Sequence, residues 1–201
     1  QRFGHTWDIT PLQAIRTRFS AIGDVSRLTG PDLNEDETVD VRFTMVDGWD
    51  RATVRPHRMG GPKSVTRSIK EGSRVRVDNA MPSLWKGQLN LDLDSLSSIS
   101  PAEEGDEAPI VDIETRVSVV GRVWSIDAYP DGDSVSRWAI TLVDASGSAS
   151  AVAFKQFIPT AAASISRGDV IGVLNGEVGE WAGRPQIKMG PGTRVVVIEN
   201  E

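Results

Sequence analysis

"LWKGQLNLDLD" (84–94) and "EWAGRPQIKMG" (180–190) each place a tryptophan, one further residue and a glycine ahead of alternating apolar and polar side chains. That alternation is the period of a strand, so both stretches predict a tight turn that enters a strand. Trp85 and Trp181 lie 96 positions apart, and the offset extends beyond them: "EGSRVRV" (71–77) falls on "RGDVIGV" (167–173). With one residue more, "TMVD" (44–47) falls on "TLVD" (141–144). With one more again, "IGDV" (22–25) falls on "VGRV" (120–123). Four matches in the same order predict a duplicated unit of about one hundred residues.

The join, "SISPAEEGDEAP" (98–109), combines Pro, Gly and acids with little apolar content, which is linker chemistry. The expected division is a first domain at 1–101, an acidic linker at 102–110 and a second domain at 111–201. Inside the units the signals are for strands. Val39, Val41, Phe43 and Met45 alternate with Asp40, Arg42, Thr44 and Val46. "VSVVGRVWSI" (117–126) is rich in β-branched residues and broken by Gly121, the mark of a bulge or bend. "VDASGSASAVAF" (143–154) predicts strand, turn, strand, and two more strands follow. The best helix candidate is "FIPTAAASIS" (157–166); its counterpart "GGPKSVTRSI" (60–69) is a poor helix former. About five strands per unit, a bent first strand and a short helix or loop between strands three and four predict an all-β protein of two tandem five-stranded OB-fold barrels.

The chain has 201 residues, 39% hydrophobic and 25% charged, a globular composition. It has no run of the roughly 18 apolar residues that a membrane span needs, and no hydrophobic leader pattern at its start. With no cysteine, disulfides, thiolate catalysis and cysteine-ligated zinc are excluded. An intracellular location is expected, cytoplasmic or with the nucleoid if the source is archaeal. Net charge is −6, yet residues 51–76 hold eight Lys or Arg against one acid, Glu71. Residues 32–50 hold seven acids and one base, and 102–114 hold six acids and no base. A local field of this kind matters more to a ligand than the sum.

The second unit resembles the DNA-binding OB domains of the replication protein A family and its archaeal single-stranded-DNA-binding relatives. The residues that carry the likeness are "VVGRVWSI", "LVDASGSASAVAF" and "SRGDVIGVLNGEVGEWAGRPQIKMG". They hold the family's glycine in strand one, its acid-x-Ser-Gly turn, an aromatic ending strand three and an aromatic-x-Gly-Arg before strand five. The resemblance implies base stacking on Phe154 and Trp181, with Arg184 beside the second. The first unit keeps "MVDGWDRATV", "KEGSRVRV" and "WKG", but Arg55, Pro56 and His57 lie where the first aromatic would fall.

The candidate stacking residues are therefore Trp85, Phe154, Trp181, Trp49 and Trp124. Trp85 and Trp181 could instead close a barrel end; Phe154 is in phase with Val152, and Trp138 is on a core phase. Trp124 and Trp49 are open between contact and packing. Candidate phosphate contacts are Arg51, Arg55, Arg58, Lys63, Arg67, Lys86, Arg122, Lys155, Arg184 and Lys188, although a charge run is usually a solvated face. Asp47, Asp50, Asp92 and Asp94 could be offered as a nuclease centre, but alternation alone puts Asp92 and Asp94 on one polar face. His5 and His57 lack metal-ligand spacing. No phosphate loop, dinucleotide motif or supported triad is present, so no enzyme activity, metal or cofactor is expected. The expected function is binding of single-stranded DNA with little sequence preference, protecting it in replication, recombination or repair. The alternative is an OB-fold scaffold or complex subunit whose partners are other subunits or replication and repair proteins.

Overall fold

The computed structural model describes residues 8–33, 39–57, 61–62, 64–65, 69–131 and 134–198. It is all-β, with two closed barrels of the same topology. The first contains β1 (Phe19–Leu33), β2 (Val39–Asp47), β3 (Asp50–Pro56), β4 (Ser64–Val65), β5 (Arg74–Trp85), β6 (Gln88–Leu93) and β7 (Ser98–Pro101). The second contains β8 (Arg116–Asp131), β9 (Ser134–Val143), β10 (Ser148–Phe154), β11 (Val170–Trp181), β12 (Arg184–Met189) and β13 (Arg194–Ile198). In the first, β1-β2-β3-β6-β5 closes through a β1–β5 pairing; in the second, β8-β9-β10-β12-β11 closes through β11–β8. The third and fifth principal strands run parallel in both, β3 with β6 and β10 with β12. This is the OB-fold order, twice.

A barrel of five strands needs a first strand long enough to pair on both sides. Gly23 and Gly121 make that possible. A Cβ on Gly23 would stand 2.6 Å from Met45 Cγ and 2.7 Å from the Val46 carbonyl oxygen, and one on Gly121 would meet the equivalent Leu142 and Val143. The first strand thus crosses the second at van der Waals contact only because its side chain is absent there. Alternation fills the interiors: Val41, Phe43, Met45, Ala52 and Val54 face one core, and Trp138, Ile140, Leu142, Ala149, Ala151 and Ala153 face the other.

The Trp-x-Gly stretches are two-residue hairpin turns. Trp85 pairs with Gln88 and Trp181 with Arg184, so Lys86-Gly87 and Ala182-Gly183 are the loops. Both residues of each loop have positive φ (51° and 77°, 50° and 73°). This is the type I′ geometry whose twist matches the strands, and glycine is favoured at its second position.

Two findings depart from the sequence reading. The expected helix at 157–166 is only two short 3-10 turns, Lys155–Phe157 and Thr160–Ala163. Pro159 lacks an N–H and holds Ile158 extended, which splits the segment. The domain boundaries also move. By contacts the chain divides into Thr17–Thr115 and a unit that joins residues 116–198 with 8–16. Ile110 and Ile113 are buried in the first core, and Ile22 N–H donates to the Ala108 carbonyl at 2.9 Å, so the expected linker is part of the first unit. Leu12 and Ile15 are buried in the second core. The two arms share a pattern, Pro11-Leu12-x-x-Ile15 and Pro109-Ile110-x-x-Ile113, and each makes one 3-10 turn.

The N-terminal arm is anchored on the β9–β10 hairpin. Asp144 accepts from Leu12 N–H at 2.9 Å and from Ser146 N–H, Ser146 Oγ and Gly147 N–H at 2.7, 2.6 and 2.8 Å. Desolvation pushes this carboxyl up, but the four donors outweigh it and hold its pKa down to about 2.

Candidate functional site

The outer face of the second barrel is built from β8, β9, β10 and β12. On β10 the inward phase is Ala149, Ala151 and Ala153, so Ser150, Val152 and Phe154 share the outer phase. Phe154 is 52% exposed and Trp181 is 67% exposed, whereas Trp138, on the core phase of β9, is 4% exposed. Phe154 is therefore outside because alanines, not Val152, line the core.

The registers order this face into rows. Tyr129 pairs with Arg137, and Arg137 with Phe154. Next come Asp127, Ala139, Val152 and Lys188, then Ser125, Thr141, Ser150 and Gln186. Arg184 lies level with Ser148, six residues from Phe154 along the same strand direction. At about 3.3 Å per residue the two aromatic ends are roughly 20 Å apart, so they cannot hold the same base. They bracket a track instead, whose exposed or half-exposed polar groups are Asp127, Lys188, Ser125, Thr141 and Ser150, with Ala139 and Val152 buried within it.

Arg137 and Tyr129 were not among the residues nominated from the sequence. The Arg137 guanidinium lies 4.8 Å from the Tyr129 ring centroid, and its Nε is buried without a hydrogen-bond partner among the described residues. At that distance the guanidinium is drawn to the ring by a cation–π attraction. Only the register, set by one bulge in β8 at Trp124 and one in β9 at Ser136, brings 129, 137 and 154 together. Trp124 sits at one of those bulges, with the Arg167 guanidinium 4.9 Å from its ring centroid and Arg122 Nη1 donating to the Gly168 carbonyl at 2.6 Å. One indole face is thus already covered.

The same rows in the first unit carry opposite chemistry. Asp32 and Asp40 occupy the Tyr129 and Arg137 places, and His57, whose N–H donates to the Leu93 carbonyl, takes that of Phe154. Arg55 and Asp92 replace Val152 and Lys188 and form an ion pair at 2.6 Å, with Ser83 Oγ donating to Asp92 at 2.7 Å. Other first-unit arginines are also held: Arg74 by Asp24 and Asp47, Arg76 by Asp78 and Asp106, Arg18 by Asp94. Burial pushes the Asp94 carboxyl up, but hydrogen bonds from Arg18, Leu96 N–H and Ser97, with the Arg18 charge, leave it below the usual range. By contrast Arg116, Arg137, Arg184 and Lys188 of the second unit make no ion pair among the described residues. Arg51 is exposed and lines a groove of about 590 Å³ with Thr44, Thr53, Leu84, Gln88 and Val111. Trp49 stands 99% exposed at the β2–β3 turn, and Lys86 Nζ lies 5.6 Å from the exposed Trp85 ring. Lys155 follows Phe154 on the exposed surface. Arg58, Lys63, Arg67 and His5 lie outside the described residues. Asp47, Asp50, Asp92 and Asp94 do not form a metal centre: among the described residues no group of three acids or histidines could hold an ion.

Residues 117–190 match a family described as OB-fold nucleic acid binding domain. No curated protein matches the chain. Solved structures resemble it at low identity. The HINa domain of Ifi202 in complex with 20-bp dsDNA is 13% identical over 89% of this chain and 95% of that one, with a TM-score of 0.34. A murine DNA binding protein bound with dsDNA is 16% identical over 90% and 99%, with a TM-score of 0.34. The OB domain of Ta0387 from Thermoplasma acidophilum is 17% identical over 46% and 86%, with a TM-score of 0.33. At these scores the likenesses carry no argument about ligands. The family match lies wholly within the second unit and supports an OB-fold domain of the nucleic-acid-binding kind there.

Proposed function

We propose that the chain binds single-stranded DNA through the outer face of its second barrel, with little sequence preference. The observation that carries this is the face itself: exposed Phe154 and Trp181 at its two ends, the Tyr129–Arg137 contact in one row, and Arg184 and Lys188 without carboxylate partners among the described residues. Exposed ring faces stack on unpaired bases whatever their identity, and free cations track phosphates. Duplex DNA keeps its base faces stacked inside and offers those rings nothing. Such binding suits protection of single strands in replication, recombination or repair, and requires no catalytic group.

A specific observation favours a different task for the first unit. Its matching rows are acidic or internally paired, while Trp49 and Trp85 project at one end of its sheet. That surface suits a protein partner better than a polyanion.

Titration of fluorescent oligo-dT and of a duplex of equal length, at two salt concentrations, tests the reading. Tighter binding of the single strand is expected. Equal or tighter duplex binding would sink it.

A further inference from the structure

The two units repeat one hydrogen-bonded cradle almost atom for atom. In the first, Asn79 sits at φ 60° and donates to the Leu96 carbonyl at 3.0 Å, while its own carbonyl accepts from Ser97 Oγ at 3.0 Å. In the second, Asn175 sits at φ 59°, donates to the Gly192 carbonyl at 3.3 Å and accepts from Thr193 Oγ1 at 3.2 Å. Asp94 N–H donates to Ser97 Oγ at 3.1 Å, and Gly190 N–H to Thr193 Oγ1 at 3.1 Å. An arginine completes each cradle: Arg18 Nη1 donates to the Asn79 carbonyl, and Arg116 Nη1 to the Asn175 carbonyl, both at 3.0 Å.

One difference stands out. The Arg18 fork grips the Asp94 carboxylate with Nη1 at 3.1 Å and Nη2 at 2.7 Å. At the matching position the second unit has Gly190. Arg116 Nη1 reaches the Pro191 carbonyl at 3.3 Å, and its Nη2 has no partner among the described residues. A Cβ on Gly190 would meet nothing within 4 Å, so the space beside that fork is open. Arg116, Glu177 and Lys188 form one row around the barrel, from β8 through β11 to β12, and Glu177 pairs with neither cation within ion-pair distance among the described residues.

From this we infer that Arg116 and the Gly190–Thr193 loop form an anion site, which the first unit fills with its own Asp94 and the second leaves to a ligand. The ligand is a phosphate group, since a planar guanidinium fork takes two phosphate oxygens as it takes two carboxylate oxygens. The source argued here is a backbone phosphate of the bound strand, which rests on the single-strand reading above. Lys188 and Arg116 are joined through Glu177 in one row around the barrel, so a strand that continues past Lys188 across β11 reaches the site.

The test uses the full chain with Gly190→Asp, which supplies the carboxylate of Asp94, and Gly190→Asn, its neutral isostere. Each is titrated with fluorescent oligo-dT across a salt series, and urea unfolding checks the fold. Gly190→Asp should bind about tenfold more weakly than Gly190→Asn, with a log–log salt slope flatter by about 0.7, the value of one phosphate contact. Its stability should equal or exceed that of the Asn variant. Equal affinities and slopes for the two variants, with the unmodified chain binding oligo-dT, would overturn the site and leave the single-strand reading standing. If the unmodified chain binds no oligo-dT, that reading fails, and inorganic phosphate then decides the site alone. A saturable shift of the Arg116 Nε–H resonance, absent in Gly190→Asp, supports it; no shift removes it.

Discussion

Trp181→Ala separates a stacking platform from a structural tryptophan, because the two roles lose different quantities. An enclosed aromatic buries about 150–250 Å². Trp181 is 67% exposed, so it covers roughly 80 Å², about 2 kcal/mol at ~25 cal/mol per Å², as an upper bound. Losing it should therefore cost less than about 2 kcal/mol of stability by urea unfolding. Trp138→Ala is the contrast. Its side chain is 4% exposed in the second core, and truncation there should cost about 3–5 kcal/mol. Binding should divide the pair the other way. A base stack is worth about 1–3 kcal/mol by alanine substitution, so Trp181→Ala should weaken oligo-dT binding roughly five- to 150-fold by fluorescence anisotropy. Unchanged affinity, or a stability loss as large as that of Trp138→Ala, would refute the platform.

Arg55→Ala should leave the salt slope of oligo-dT binding unchanged, because Asp92 already holds that guanidinium, whereas Lys188→Ala should flatten it by about 0.7; equal effects would restore the basic window at 51–76 as the phosphate contact. Ala182 carries φ 50° in a type I′ turn, so Ala182→Gly should raise stability by roughly 1 kcal/mol in urea unfolding without changing affinity. Leu12→Ala, on the arm buried in the second core, should cost about 2–5 kcal/mol, and an arm that only decorates the surface would show less than 1. The Asp144 carboxyl is depressed to about 2 from 3.8; its contribution is therefore present above pH 4 and lost as pH falls toward 2. Melting of Asp144→Asn should be lower at neutral pH and should vary less across that window.

Much of the fold was legible because duplication copies spacing. The Trp-x-Gly pairs, the matched "EGSRVRV" and "RGDVIGV" stretches and the first-strand glycines gave both barrels and their order. The arms were not legible. Pro11–Ile15 and Pro109–Ile113 share a pattern, but no periodicity says which barrel buries a segment: the acids around it made Ile110 read as linker, and Ile113 fell in the expected second domain, whereas both belong to the first core. At the site, Phe154 and Trp181 could be read from motif. Tyr129 and Arg137 could not, since their meeting depends on bulges at Trp124 of β8 and Ser136 of β9, each of which shifts the register by a residue. Nor could the neutralisation of the basic window, because Asp92 reaches Arg55 from 37 positions away. Charge counted along a chain does not reveal charge paired across a barrel.

The central claim is that the second barrel's outer face takes the strand. The six tryptophans of the chain provide separate indole N–H resonances, and their response to oligo-dT tests it most directly. A large saturable shift is expected for Trp181, accompanied by the backbone amides of Tyr129, Arg137 and Phe154, with Trp138, Trp49 and Trp85 little changed. Shifts concentrated on Trp49 and Trp85, with Trp181 and Phe154 unmoved, would assign the strand to the first barrel and contradict the account.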